Sequence, residues 1–403
     1  MTIIIIMPFN NPFCRTKTKP VVLAALPYIQ YSSLKEQMII ITPYTSTPLL
    51  RVKISIIPKY IKKKNYKYAV KQAIINILKN QAESINNQDH LTNKLLLHIH
   101  QDLKLASFLK SNFSYSKVFL VKHGQYFINR FKEQFSLIRF FYYHFYIKKL
   151  DKILCISNYV RVCLADNYPK MNEKIIICYN NYGHLLLNTE TISLKSKQNQ
   201  IVFAGKAVKF KGIVEFLLSL IEIMPLQQNY KAVVIVAYFA KNFKQTDRYN
   251  PNSSEIFSDL AKELKISAEA CSQILRLIKE DRITLYTNLS NQEVFQVMAL
   301  SKIFVVPTKS NEPFGLVALE GHLAKCAVIS SGKGGLKEVS GPYALYLDQV
   351  SPAEIAKKVK LLMEDETKLI NLALDGYQYA IDKFDPKTLV RQLDNKIIAE
   401  LED

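Results

Sequence analysis

The sequence predicts an α/β protein of two Rossmann-like domains, each an open, mostly parallel sheet covered by helices. Three observations carry this reading. Short apolar runs bounded by Pro, Gly or polar residues alternate with stretches of helical periodicity, the pattern of repeated strand–turn–helix units. The length, 403 residues, is enough for two ordinary cores. The charge also divides at the middle. Residues 1–200 carry 29 Lys and Arg against 9 Asp and Glu, and residues 201–403 carry 25 of each, so the net charge of +20 lies in the first half. A basic half beside a neutral half marks parts with different partners, the first suited to something anionic.

The composition narrows the class. Hydrophobic residues make up 49% of the chain, with 11 Gly and 15 Pro, which describes a folded protein without low-complexity segments. The six Cys are scattered with no Cys-x-x-Cys pair, which argues against structural zinc and a disulfide framework and fits a reducing cytosol. Ile3–Ile6 is too short for a signal peptide and lacks its basic flank. No apolar stretch reaches the ~18 residues of a membrane span.

In chain order, Thr2–Met7 reads as a buried strand, followed by a turn leading to Arg15, Lys17 and Lys19. Met38–Thr42 is a second strand. Lys59–Lys71 interleaves lysines, Lys62, Lys63 and Lys64 among them, with Tyr60, Tyr66 and Tyr68. This is either a solvated helix face or a patch for an anionic membrane surface. Leu95–His100 and Val118–Val121 are strands that lead to His100 and His123. Each histidine is either a strand-end residue satisfied by backbone or a group that reaches a ligand. Residues 126–146 crowd Phe and Tyr with Arg130, Lys132 and Arg139, which suits a membrane interface or single-stranded nucleic acid. Ile153–Ser157 is a strand with a Ser cap before a helix at Asn158–Leu164, and Lys174–Cys178 closes this half. The polar stretch Asn188–Gln200 reads as a hinge.

The second half opens with a strand at Ile201–Ala204, then Gly205 and Lys206, then Lys211-Gly212 and a helix at Ile213–Ile223. Gly205 is expected to let the backbone turn. Val233–Ala237 is a strand, 255–278 is mostly helical, Ile283–Tyr286 is a strand, and Ser290-Asn-Gln-Glu293 is a capping box. Then comes the richest stretch, 309–336. A strand at Ile303–Pro307 runs into Glu312-Pro313-Phe314-Gly315. The following helix carries Leu316, Leu319, Leu323 and Glu320. A strand at Ala327–Ser330 runs into Ser331-Gly-Lys-Gly334-Gly335-Leu336. Two consecutive units place their turns at the carboxyl edge of one sheet, where ligands of open α/β sheets bind. One turn offers a carboxylate. The other offers Gly-flanked N–H groups at a helix start, suited to phosphate. A final helix spans Lys387–Glu402.

Glu312-x(7)-Glu320, with Gly334-Gly335-Leu336-x-Glu338 and the Gly205-Lys206…Lys211-Gly212 turn, resembles the nucleotide-sugar site of the family-4 retaining glycosyltransferases, including those of the lipopolysaccharide core. The resemblance covers 201–403 and, more loosely, 118–183. It departs from the family in having no Gly-Gly loop after the first strand, Lys206 where relatives carry Arg, Ala237-Tyr238 in place of Gly-x-Gly, and Lys325 and Ala327 in place of Gly and Pro.

The resemblance implies a GT-B fold, two Rossmann-like domains facing across a cleft. The implied divisions are an acceptor-binding domain at 1–187, a hinge at 188–200, a donor domain at 201–384, and a segment at 385–403 that crosses back to the first domain. It implies that Lys211, Lys206, Gly205, Gly334, Gly335, Phe314, Gly315 and Glu320 hold the donor. Glu312, His123 and Lys211 would act at the reacting sugar. Cations take the place of a metal, so neither a metal nor a cofactor is expected. The anomeric configuration is retained.

For the acceptor, the basic half with Lys62, Lys63, Lys64, Arg130 and Arg139 points to an anionic glycolipid, such as a lipopolysaccharide core. It would be met by a cytoplasmic protein lying peripherally on the inner face of the plasma membrane. A non-catalytic lipid- or polyanion-binding protein on a decayed transferase fold is the other reading. Nucleic acid is not an expected partner, because no RNA-binding signature is present.

Overall fold

A computed structural model of the chain describes residues 1–10, 13, 20–43, 53–84, 94–123, 144–183, 185, 191–237 and 254–402. Two compact units form, Met1–His184 with Phe384–Asp403 and Leu185–Lys383.

In the first unit the strands are β1 (Thr2–Ile6), β2 (Met38–Pro43), β3 (Lys53–Ile57), β4 (Leu95–His100), β5 (Lys117–Lys122), β6 (Lys152–Cys155) and β7 (Ile175–Ile177). Among the described residues they pair in parallel in the order β3-β2-β1-β4-β5-β6-β7. Helices α1 (Pro20–Tyr31), α2 (Tyr66–Ser84), α3 (Leu103–Asn112) and α4 (Asn158–Asn167) connect them. Strands buried on both faces read as unbroken apolar runs, and β1 and β4 are buried along their whole length. Polar caps mark the helix starts. Asp102 accepts from the Leu105 N–H at 3.0 Å, and Ser157 from the Val160 N–H at 3.0 Å.

The second unit contains β8 (Gln198–Lys206), α5 (Ile213–Ile223), β9 (Lys231–Ala237), α6 (Ser254–Leu264), α7 (Ala268–Lys279), β10 (Ile283–Thr287), α8 (Asn291–Leu300), β11 (Ser301–Val306), α9 (Leu316–Leu323), β12 (Ala327–Ser330), α10 (Leu336–Ser340), β13 (Ala344–Tyr346), α11 (Pro352–Glu364) and α12 (Glu366–Lys383). Its sheet runs β10-β9-β8-β11-β12-β13, all parallel. The order reverses between β8 and β11, the switch point at which doubly wound sheets open a crevice for ligands. On α5, Ile213, Phe216, Leu217, Leu220 and Ile223 form one stripe, which packs with Phe203, Val234 and Val305 in the core.

The chain then returns to the first unit with α13 (Pro386–Glu402). Asp394, 2% exposed, accepts from Ser32 Oγ at 2.7 Å and from the Ser33 N–H at 2.8 Å, tying α13 to the end of α1.

Several elements differ from expectation. The strand expected at Ile201–Ala204 begins at Gln198, so the end of the expected hinge is sheet. Of the basic stretch 59–71, for which a helix face is one of two readings, only the part from Tyr66 is α-helix (α2), preceded by a 3-10 turn at Lys63–Asn65. The helical region 255–278 is two helices, because Lys265 takes a positive φ of 55° and Ser267 caps the second. Among the described residues no helix is long and apolar enough to cross a membrane.

Candidate functional site

Three turns at the carboxyl ends of β8, β11 and β12 are joined backbone to backbone. The first passes through a 3-10 turn at Lys209–Lys211 to Gly212, which takes φ +75°. A Cβ on Gly212 would stand 1.9 Å from the Pro307 carbonyl oxygen, so only glycine permits this approach. The Phe210 carbonyl accepts from the Lys309 N–H at 2.8 Å and from Thr308 Oγ1 at 3.1 Å. The second turn joins the third at a parallel bridge between Glu312 and Gly334. The Glu312 N–H donates to the Lys333 carbonyl at 3.3 Å, and the Gly335 N–H donates to the Glu312 carbonyl at 2.7 Å. A Cβ on Gly334 would stand 2.3 Å from that same carbonyl oxygen.

Glu312 is thereby held by its main chain while its side chain remains available for chemistry. Lys211 Nζ forms an ion pair with Glu312 Oε1, and Thr308 Oγ1 lies 3.3 Å from the same oxygen, an alternative acceptor for its one proton. The pair is partly buried, with side-chain exposures of 25% and 16%. Beside it Lys309 pairs with Glu215 on α5, and Lys333 Nζ donates to the Lys309 carbonyl at 3.1 Å. Lys206 and Lys209 are exposed. Glu320 is half-buried, one helical turn beyond Leu316 on α9. The arrangement concentrates cations at strand ends, where they can hold a diphosphate, and adds two carboxylates that can accept from hydroxyls.

The structure corrects three assignments. Gly205 is an extended residue of β8, opposite Val236, and does not make the turn. Phe314 is 2% exposed, so its ring fills the core and offers no open face to solvent. The Gly335 N–H is engaged with the Glu312 carbonyl, so this glycine sets the turn instead of binding phosphate. Gly315 serves the same packing. It has φ +109°, and a Cβ there would stand 2.5 Å from Leu336 Cδ2.

Residues 188–380, nearly all of the second unit, match the family model of the glycosyl transferases group 1. This unit belongs to the group 1 glycosyl transferases. An uncharacterized glycosyltransferase of Methanocaldococcus jannaschii is 25% identical over 257 residues, which span 63% of this chain and 60% of the relative's length. Across both units, the crystal structure of HepE from Anabaena in complex with UDP is similar with a TM-score of 0.69 at 15% identity, covering 99% of this chain and 100% of that one. A Rickettsia africae glycosyltransferase is similar with a TM-score of 0.70 at 14% identity, covering 100% and 98%. These likenesses establish the GT-B fold.

Outside the group 1 unit, His123 follows β5 and is half-buried. His100 is 3% exposed, and its Nδ1 lies 2.8 Å from His123 Nε2. Burial, then the charge of Lys122, lowers the His123 pKa to about 3, and burial lowers Lys122 to about 7. Lys62, Lys63 and Lys64 are exposed, beside Tyr60 at 80%, Tyr68 at 55% and Ile56 at 43% exposure. Arg130 and Arg139 lie outside the described residues. Among the described residues no group of His, Cys, Asp and Glu could hold a metal ion.

Sequence reasoning missed Thr308 and Lys309, which brace the Glu312 turn, and His98, which lies beside His100. The His98-x-His100 alternation on a strand was the available signal, since residues two apart share a face.

Proposed function

We propose that the protein is a retaining glycosyltransferase. It transfers a sugar from a nucleoside diphosphate, UDP in the first instance, to a hydroxyl of an anionic glycolipid. The observation that carries this reading is the Lys211–Glu312 pair, held at the switch point of a group 1 glycosyl transferase unit. HepE, whose fold is similar, is known in complexes with UDP and with UDP-glucose, which favours a uridine donor.

In this mechanism the sugar–phosphate bond breaks with charge developing on the leaving diphosphate. Lys211 and Lys206 stabilise that charge. Glu320 accepts from the ribose hydroxyls, and Glu312 accepts from the sugar hydroxyls and orients the donor. The departing phosphate takes the proton of the acceptor hydroxyl as the new glycosidic bond forms on the same face of the sugar. His123 contacts the transferred sugar. The deciding experiment is a screen of the purified protein against a panel of nucleotide sugars for donor hydrolysis and transfer. No turnover with any of them would remove this reading.

Because lysines supply the positive charge, transfer should persist in excess chelator. Loss of activity in chelator, restored by magnesium or manganese, would overturn that part of the mechanism.

The acceptor is proposed from the first unit's charge and from its exposed Tyr60, Tyr68 and Lys62–Lys64 surface. Aromatic rings with lysine stems suit the interface of an anionic bilayer, and a phosphorylated lipopolysaccharide core at the cytoplasmic face of the inner membrane is the acceptor of that chemistry. Vesicle sedimentation should show binding to anionic but not to neutral lipid. Binding should weaken as added salt shortens the ~10 Å screening length. Equal binding to both lipids would count against the membrane assignment.

A further inference from the structure

The first unit holds a histidine column of which the proposed mechanism uses only His123. His98 and His100 are two apart on β4, so they leave the sheet on one face. His100 stands opposite Val121 of β5, and His123 follows two residues later. The three rings stack in sequence. His98 lies on His100 at 5.1 Å with 16° between planes, and His100 on His123 at 5.1 Å with 19°. Tyr28 of α1 meets His98 edge-on at 5.2 Å. One polar contact is made within the column, His100 Nδ1 to His123 Nε2 at 2.8 Å. His100 Nε2, both nitrogens of His98 and the Tyr28 hydroxyl are buried without a hydrogen-bond partner. These residues line a cavity of about 30 Å³.

This pattern decides where the protons lie. Burial lowers His98 to about 4 and His123 to about 3, and it pushes His100 well below the ordinary range, so all three are neutral at pH 7. A neutral imidazole carries one N–H and one lone pair. Two of them joined Nδ1 to Nε2 hold one proton in the bond and one outside it. The outer proton sits either on His100 Nε2 or on His123 Nδ1. On His100 it would be one more buried donor with no acceptor, added to the N–H that neutral His98 already leaves unmet, and each such donor is costly. His123 is half-buried, and its Nδ1 is not among the orphaned atoms.

We infer that His100 is a positioning residue. It donates its Nδ1–H to His123 Nε2 and so holds His123 as a neutral Nδ1–H donor, which presents a proton, and not a lone pair, to an oxygen of the bound sugar. The inference rests on the reading that His123 meets that sugar. Among the described residues, no carboxylate acts on either ring of the pair. Lys122 of β5 acts on His123, His98 acts on both rings, and Asp394 of α13 acts on Tyr28. Cys178, which lines the cavity, has its thiol pushed up to about 12 by burial and stays neutral. From α13 the cavity meets only Leu389, Val390 and Leu393.

Two measurements on the full chain test this. The first needs no substrate. In ¹⁵N-histidine-labelled protein, with signals assigned through His100→Asn and His123→Asn, both rings should show a protonated Nδ1 and a bare Nε2. They should keep them between about pH 5.5 and 8.5. A protonated Nε2 on His123 overturns the inference.

The second follows hydrolysis of UDP-glucose. His100→Leu should lower kcat by about 10- to 100-fold, the scale of a misplaced catalytic contact, with a smaller change in KM. His100→Asn, whose amide N–H stands in for Nδ1–H, should recover most of the loss. His100→Asp would accept a hydrogen bond from the Nε2–H of His123 and so reverse the tautomer, and its negative charge should introduce a titration of the rate across neutral pH. Wild-type kcat in His100→Leu, or no recovery in His100→Asn at equal Tm, overturns the inference. A wild-type protein inactive on every nucleotide sugar would defeat the proposed function, and the tautomer measurement would still decide the role of His100.

Discussion

Glu312→Ala is expected to lower sugar transfer by about 10- to 150-fold. A hydrogen bond to a charged group in a water-poor site is worth about 1.5–3 kcal/mol, and each ~1.4 kcal/mol is a decade in rate. The effect should fall on turnover, because Glu312 orients the sugar that reacts and leaves Lys211 without its partner when removed. The fold should survive. The bonds that lock this turn, to the Lys333 carbonyl and from the Gly335 N–H, use the main chain of residue 312, which alanine keeps. Glu320→Ala should act more on donor affinity, since ribose contacts change little as the bond breaks. It also puts the best helix former inside α9. The check is steady-state transfer for both variants beside thermal melts. If both transfer sugar as well as the parent, the two-glutamate reading fails and a polyanion-binding protein becomes the better account.

The second large effect is on stability. Gly212→Ala should cost about 3–5 kcal/mol, the sum of a left-handed backbone angle that a side chain resists and a contact that cannot relax. The added Cβ would stand 1.9 Å from the Pro307 carbonyl oxygen, and backbone on both sides is tied down through Phe210, Thr308 and Lys309. Gly205→Ala is the control. Its Cβ would stand 3.3 Å from the edge of the Phe203 ring, in extended backbone. Urea unfolding followed by circular dichroism, suited to a chain with no Trp, should show a large midpoint shift for the first variant and a small one for the second. Equal shifts would mean that the turn at Gly212 yields.

Much of the fold was legible because buried parallel strands leave unbroken apolar runs. Leu95–His100 and Ala327–Ser330 were read with the bounds they have in the structure, and the Ser290–Glu293 capping box is present. Elements that lack this contrast were not read. β3 is an edge strand whose Lys53 and Ile56 are exposed, and α1 carries Pro27 at its centre, where helical periodicity would be taken to end. In the site, Glu312, Glu320 and Lys211 stood out through spacing along the chain. The engagement of the Gly335 N–H did not, because it depends on pairing with a turn 23 residues away. Phe314 was drawn toward the ligand by its neighbours in sequence, whereas its burial follows from packing. His98 differs, because its spacing from His100 on one strand is a signal in the sequence, and only its contact with Tyr28 of α1 depends on packing.

The division of the first unit across the chain has a consequence for its synthesis. The ribosome completes the whole of Leu185–Lys383 before Phe384–Asp403 appears, and the latter carries Asp394, which anchors Ser32 and Ser33. At about 5–20 residues per second this interval lasts roughly 10–40 s. Throughout it, the inner unit has every strand it needs, while the outer one lacks the Leu389, Val390 and Leu393 that close over His98 and His100. The burial that keeps those imidazoles uncharged therefore depends in part on a segment translated after the whole inner unit.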